Sequence, residues 1–322
     1  MDPGWLVLYV FVFPGLLFLL AYALFMEYVD RKLGARIQNR VGPPFFQPFA
    51  DLVKLLAKED ITPEDVDPPA MRAIPILAFA AVATAFLYVP VIGSSPLAFP
   101  GDLIVVLYLL TLPSILLFLI GWISRSVFST LGGVRVATQL FIYEVPFFLA
   151  LLGPALAAGT WTISGIVEWQ RANFWVVVFQ PIGFIVALIG LQAKLERTPF
   201  DIPEAETELV AGPWTELTGR KLALMRLAVD MALVTGAALI AALFLGGPSI
   251  PWVLEPGWLA TLAGFGSFLV KTLAILFVLA VVRMAMGRVR IDQLNDFGWK
   301  YLASAAIVQV LIVLFLNGAL IA

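Results

Sequence analysis

The chain has 322 residues, 61% of them hydrophobic and only 13% charged, with a net charge of −2 and neither cysteine nor histidine. A soluble domain is nearer half apolar and a quarter charged, so the composition excludes a soluble enzyme. The absence of a long basic run excludes a nucleic-acid partner. Iron–sulfur, haem, zinc and copper sites draw on thiolates or imidazoles, so the chain is expected to hold no cofactor or metal of its own. Catalysis by Cys–His or Ser–His–Asp is closed to it as well.

Runs of about 20 apolar residues mark membrane helices. Eight are predicted in an all-α, single-domain membrane protein: 5–26, 72–92, 103–123, 136–158, 174–193, 222–245, 262–284 and 299–321. The first reads as a membrane helix, since it lacks a basic n-region and ends in charge. Lys and Arg then set the orientation. Eighteen of the 20 lie in or beside the odd-to-even loops; only Arg171 lies on the other side, and Lys271 lies within a span. The positive-inside rule therefore predicts loops 27–71 and 194–221 in the cytoplasm and both termini outside. The outer loops 93–101 and 246–257 are short and rich in Pro and Gly. In the first cytoplasmic loop, Phe49, Leu52, Val53 and Leu56 follow i, i+3, i+4, i+7 spacing, with Asp51, Lys54 and Lys58 opposite. That pattern predicts a short amphipathic helix at the interface.

Three ionisable groups fall where lipid is expected: Glu144 in the fourth span, Asp230 in the sixth and Lys271 in the seventh. Such groups are costly in the bilayer and normally face the bundle interior or water. Glu144, near mid-span, fits an ion relay; the alternative is a structural hydrogen-bonded carboxyl. Asp230 is either a relay group or the partner of Arg226 at i−4. Lys271 is a relay member or a carboxylate's partner. The loop between spans five and six is the densest constellation, with Glu196, Arg197, Asp201, Glu204, Glu206, Glu208 and Glu216 before Arg220 and Lys221. Glu204 and Glu208 share a face if that segment is helical. Crowded carboxylates raise one another's pKa, which suits proton exchange near neutrality. The plainer alternative is a solvated charged loop.

Four motifs together resemble a known family. Asp30-Arg31-Lys32 with Arg36, Gln38, Arg40 and Gly42-Pro43, then Gln47-Pro48-Phe49-Ala50-Asp51, resembles the first cytoplasmic loop of the H-subunit (subunit 1) family of respiratory complex I. Gly121-Trp122-Ile123-Ser124 with Arg135, Gln139 and Tyr143-Glu144 is similar to its third-to-fourth-helix motif. Glu196-Arg197-Thr198-Pro199-Phe200-Asp201 and Glu204-Ala205-Glu206-Thr207-Glu208 resemble its acidic loop, and Arg290-Ile291-Asp292-Gln293-Leu294 its last helix start.

The resemblance implies a non-redox membrane subunit of a multi-subunit oxidoreductase in the cell membrane, not catalytic alone. It implies peripheral partners like the large and small hydrogenase subunits, carrying iron–sulfur clusters and a nickel–iron site. Antiporter-like membrane subunits are the other implied partners. It assigns ion relay to Glu144, Glu204, Glu206, Glu208 and Asp230, to which the span position adds Lys271. It assigns the peripheral-arm interface to Asp30, Arg31, Arg36, Gln38, Arg40, Asp51, Arg197 and Asp201. In quinone-reducing members the stretch before Gln47 is longer and glycine-rich. Here Gly42-Pro43-Pro44-Phe45-Phe46 is short, closer to the membrane-bound hydrogenase and ferredoxin-linked branch, and it points away from quinone binding. The alternatives are the quinone-binding H-subunit of an NADH-quinone oxidoreductase, a stand-alone cation/proton antiporter and a passive scaffold. No inverted repeat supports the antiporter.

Overall fold

The computed structural model describes residues 3–63, 66–250 and 257–321, so residues 251–256 of the second outer loop lie outside the described residues. Every regular element among them is helical. Seven helices are long and apolar enough to cross a membrane, and an eighth apolar helix is shorter. The chain opens with α1 (Pro3–Phe11) and α2 (Leu16–Ile37), interrupted at Pro14 and together one membrane-length stretch. Then come α3 (Gln47–Ala57), α4 (Pro68–Tyr88), α5 (Asp102–Ile123) and α6 (Val127–Ala158). The short α7 (Ile163–Ala172) and α8 (Val176–Phe179) precede α9 (Pro181–Lys194) and the single turn α10 (Glu206–Leu209). The rest is α11 (Gly219–Leu245), α12 (Trp258–Ala285), α13 (Ile291–Asp296), a π-helical segment Phe297–Ala303 and α14 (Ser304–Ile321).

The fifth predicted span is a correction. It is not one long helix: α8 ends at Gln180 and α9 restarts at Pro181, which brings no N–H to continue a ladder. Side-chain amides tie the break to neighbouring helices. Gln180 donates to the Gly153 carbonyl of α6 at 3.2 Å, and Gly183 N–H donates to Gln309 Oε1 of α14 at 3.2 Å. Several other helices run past their apolar cores into charged ends, as α2 does from residue 26 to Ile37.

The core forms around α11, which packs against α2, α3, α4, α7, α9 and α12. Its stretch from Met231 to Phe244 is buried on every side. A helix apolar all round belongs inside, and its alanines and Gly236 let neighbours approach closely. A Cβ on Gly236 would stand 2.3 Å from Leu191 of α9. The α5–α6 crossing is also tight, since a Cβ on Gly121 would meet the Gly133 Cα at 2.8 Å. The amphipathic helix forms as α3. Its predicted stripe divides: Phe49 and Leu52 pack on the core, whereas Val53 and Leu56 are exposed. Lys221 ties the following loop to the start of α11, pairing with Asp60 at 2.9 Å and donating to Thr62 Oγ1 at 2.7 Å.

The charged ends of α2, α9 and α12 and the whole of α3 gather at one end of the bundle, the end predicted to be cytoplasmic. With no native cysteine, single cysteines report sidedness cleanly. Lys58→Cys is expected to react with an impermeant maleimide only in inverted vesicles and Ser94→Cys only in right-side-out ones. The opposite pattern would reverse the orientation.

Candidate functional site: a buried polar path

The deepest part of the site is an ion pair between membrane helices. Glu144 sits mid-way along α6, and Lys194 is the last residue of α9; both are buried. Lys194 Nζ donates to Glu144 Oε2 at 2.7 Å and to Oε1 at 2.9 Å. The Thr111 hydroxyl of α5 also donates to Glu144 Oε1. The ammonium lies 5.3 Å from the ring centroids of both Tyr143 and Phe147, within cation–π range. Tyr143 is held in turn by Ser114, with their oxygens 3.0 Å apart. Such a pair adds little stability over apolar packing, but removing one partner strands a charge at a cost of about 3–5 kcal/mol.

Beyond Lys194 the chain turns sharply, with Glu196 in the left-handed region at φ 51. Side-chain amides hold the turn. Gln139 of α6 donates to the Ala193 and Phe200 carbonyls at 2.8 and 2.9 Å, and Gln192 donates to the Thr198 carbonyl at 2.6 Å. A cavity of about 30 Å³ touches Ser114, Lys194, Glu196 and Trp214. A water needs roughly 10–15 Å³ and polar partners, so this space suits one or two. Glu196 also lines a wider cavity of about 300 Å³ with Glu27, Glu204, Asp230 and Arg283. Glu196 therefore stands between the buried pair and the wider polar space.

Charge is balanced unevenly along this path. Arg197 donates to Asp30 Oδ2 at 3.1 Å and to Glu27 Oε2 at 3.4 Å, and Arg283 also pairs with Asp30. Glu196 makes no such pair among the described residues, and its Oε2 has no hydrogen-bond partner there. Burial, with the Glu204 charge beside it, pushes its carboxyl from 4.5 up to about 8. Burial also raises Glu204, with Arg226 opposing and Glu206 and Asp201 adding to the shift.

Glu204 and Glu208 do not share a face. The turn α10 begins only at Glu206, which leaves Glu204 outside it and aimed at the cavity. Glu206 and Glu208 face outward. Glu208 pairs with Arg135 at 2.7 Å and also with Arg288, and the Arg135 hydrogen bond holds its carboxyl below the usual range. Asp230 lines the wider cavity and a second one of about 350 Å³ between α2, α3 and α11; no ion pair joins it to Arg226 among the described residues. Lys271 lies apart, donating to the Gly247 and Ser249 carbonyls at 2.8 Å each, beside Trp175.

Among the residues expected to meet a partner, Arg36, Gln38 and Arg40 are exposed at the end of α2. Arg31 and Asp51 are partly exposed and pair at 2.8 Å. Asp201 is partly buried. Asp30 is fully buried and Arg197 nearly so, because each satisfies the other inside the bundle. Arg197 lines the wider cavity, and Asp30 is enclosed behind it. Lys194, Glu27 and Arg283 join this polar path, although the sequence pattern does not single them out. Each stands at the end of an apolar run, where it reads as a boundary charge; an apolar run ending in a charge opposite a mid-span Glu is the available signal.

The NADH dehydrogenase family profile matches residues 9–314, which takes in every group of the polar path. The H-subunit of the NADH-quinone oxidoreductase of Carboxydothermus hydrogenoformans is 38% identical over 309 residues, covering 92% of this chain and 85% of that protein. This chain belongs to the H-subunit family. The Bacillus thuringiensis member is 36% identical over 316 residues, 93% of this chain and 92% of that protein. A chain in the solved structure of the membrane-bound sulfane sulfur reductase, an archaeal respiratory membrane complex, superposes with a TM-score of 0.83 at 28% identity. That match covers 92% of this chain and 96% of that chain. Family membership makes this a multi-pass subunit of a membrane oxidoreductase complex.

The raised carboxyl is directly measurable. Infrared titration is expected to show a protonated carboxyl band at pH 6 that disappears with an apparent pKa near 8 and is missing in Glu196→Gln. Its folded pKa exceeds the unfolded value, so its contribution to stability is full below about pH 4.5 and is lost as pH rises through about 8. A band titrating near 4.5 in the wild type would contradict the assignment.

Proposed function

We propose that this chain couples redox chemistry in a peripheral arm to ion movement in the membrane arm. It does so as the junction subunit of a complex I-like pump. The observation that carries the proposal is the Lys194–Glu144 pair, buried at span depth and approached through cavities lined by Glu196, Glu204 and Asp230. Reduction in a partner changes charge beside the loops 27–71 and 194–221. That charge alters the proton affinity of Glu196 and Glu204, which carry no fixed counter-ion of their own among the described residues. Glu144, held by Lys194, receives the change inside the bilayer. The energy scale is adequate: moving one charge against 100 mV takes about 2.3 kcal/mol, less than about two pKa units.

The short stretch Gly42–Phe46 supports the membrane-bound hydrogenase or a related ferredoxin-oxidising branch, with hydrogenase-like large and small subunits and antiporter-like subunits as partners. The similarity to a sulfane sulfur reductase chain fits a branch whose acceptor is not quinone. One observation favours the quinone reading instead. The cavity between α2, α3 and α11 joins apolar Leu24, Leu52 and Leu227 to polar Glu27 and Asp230. An amphiphilic headgroup suits such a lining. Inhibition of electron transfer by quinone-site inhibitors would select that reading.

In the intact complex in vesicles, Glu144→Gln is expected to lower ions moved per electron by about tenfold, within the usual range of a coupling free energy. Glu144→Gln combined with Lys194→Met removes the stranded ammonium and is expected to assemble normally while staying uncoupled. Unchanged pumping in both would establish the passive scaffold.

A further inference from the structure

Glu208 lies outside the polar path, yet it holds two cations. Its Oε2 accepts from Arg135 Nη1 of α6 at 2.7 Å, and its Oε1 accepts from Arg288 Nη2 in the connection between α12 and α13. One carboxylate thus joins two guanidinium groups from elements far apart in the sequence. All three side chains reach solvent, and exposed ion pairs add little stability. Each arginine, however, is anchored beside the turn that carries Glu196.

Arg135 stands one turn before Gln139 on α6, so the two share a helix face. Gln139 is the amide that holds the Ala193 and Phe200 carbonyls on either side of Glu196. Arg135 also donates to the Ile202 carbonyl at 3.5 Å. On the other side, the N–H of Val289, next to Arg288, donates to the Pro199 carbonyl at 3.0 Å. Both arginines therefore belong to the frame that fixes Glu196, and Glu208 ties the next part of the loop to that same frame.

That next part needs an outside hold. α10 is a four-residue turn, too short to sustain itself as a helix. Packing secures its flanks: Ala205 and Leu209 are buried, and Gly212 and Pro213 press on α6. A Cβ on Gly132 there would stand 2.6 Å from Pro213 Cδ and 2.9 Å from Gly212 Cα. Between these flanks Glu206 and Thr207 are exposed, and Glu208 is the residue that grips neighbouring elements. Glu204 lies just before the turn and lines the wider cavity with Glu196. The seat of α10 thus sets how near the two carboxyls lie. We propose that Glu208 is a positioning residue: clamped by Arg135 and Arg288, it fixes α10 and keeps Glu204 beside Glu196 at the cavity wall. Its importance for coupling rests on the function proposed above, in which those two carboxyls act together.

The Glu204 charge helps to hold the Glu196 carboxyl up near 8, so the Glu196 titration reports their spacing. The sign of the change separates a clamp from a plain charge effect. Removing an arginine's positive charge by itself raises a nearby carboxyl's pKa, whereas releasing the clamp lets Glu204 move away and lowers that of Glu196. In the intact complex, Arg135→Gln and Arg288→Gln are each expected to bring the midpoint of the Glu196 infrared band below about 8. Arg135→Lys, which keeps an ion pair, is expected to leave it near 8. The charged groups that face Glu204, namely Arg226, Glu206, Asp201 and Arg283, are unaltered in all three variants. A second readout uses the lack of native cysteine in this chain. Glu204→Cys is expected to react with a maleimide several times faster when combined with Arg288→Gln. A midpoint that stays near 8 or rises in both glutamine variants, or labelling at position 204 that does not quicken, would overturn the clamp. A lowered midpoint with unchanged ion pumping would uphold the clamp and count against the coupling function instead.

Discussion

A carboxylate in the middle of a 32-residue apolar helix is tolerated only in company, and much of this structure supplies that company to Glu144. Lys194 meets it from the end of α9, and Thr111 meets it from α5. For Lys194 to reach, α9 must end at the right depth. That helix is short because Pro181 restarts the chain part-way through the span. The break in the fifth span and the buried ion pair are therefore linked features. The glycine contacts of α5 with α6 and of α11 with α9 draw these helices close enough for the side chains to meet.

The same requirement shapes the turn that follows. Once α9 has delivered Lys194, the backbone must reverse over the end of the bundle, and Gln139 and Gln192 take up the carbonyls this leaves. Arg197 turns inward to Asp30 and Glu27, which neutralises those acids. Glu196 is left beside Glu204 and in no ion pair among the described residues. Neutral protonation is the cheapest answer to that placement, and a carboxyl poised near 8 can release a proton when nearby charge changes.

Hydropathy made the helical class and nearly all spans legible, because apolar length is a property of sequence alone. The stripe at Phe49 and Leu52 likewise located α3. What could not be read was direction. Glu204 and Glu208 stand four apart, yet α10 starts between them, so one faces the cavity and the other the arginines outside. Lys194 and Arg283 looked like boundary charges, since only the assembled bundle shows what lies opposite them. Asp30 sat within a basic loop motif suggestive of docking, but Arg197 from the turn after α9 and Arg283 of α12 pair with it inside. Long-range pairing of this kind leaves no local periodicity to detect.

Membership of the H-subunit family sets this geometry in a subunit of a membrane oxidoreductase complex. The central claim is that redox change outside the membrane alters protonation inside it. Redox-induced difference infrared spectroscopy on the intact complex tests this most directly. The account predicts a protonated-carboxyl difference signal on reduction that is lost in Glu196→Gln and shifted in Glu144→Gln. A difference spectrum in the carboxyl region identical in wild type and both variants would contradict it.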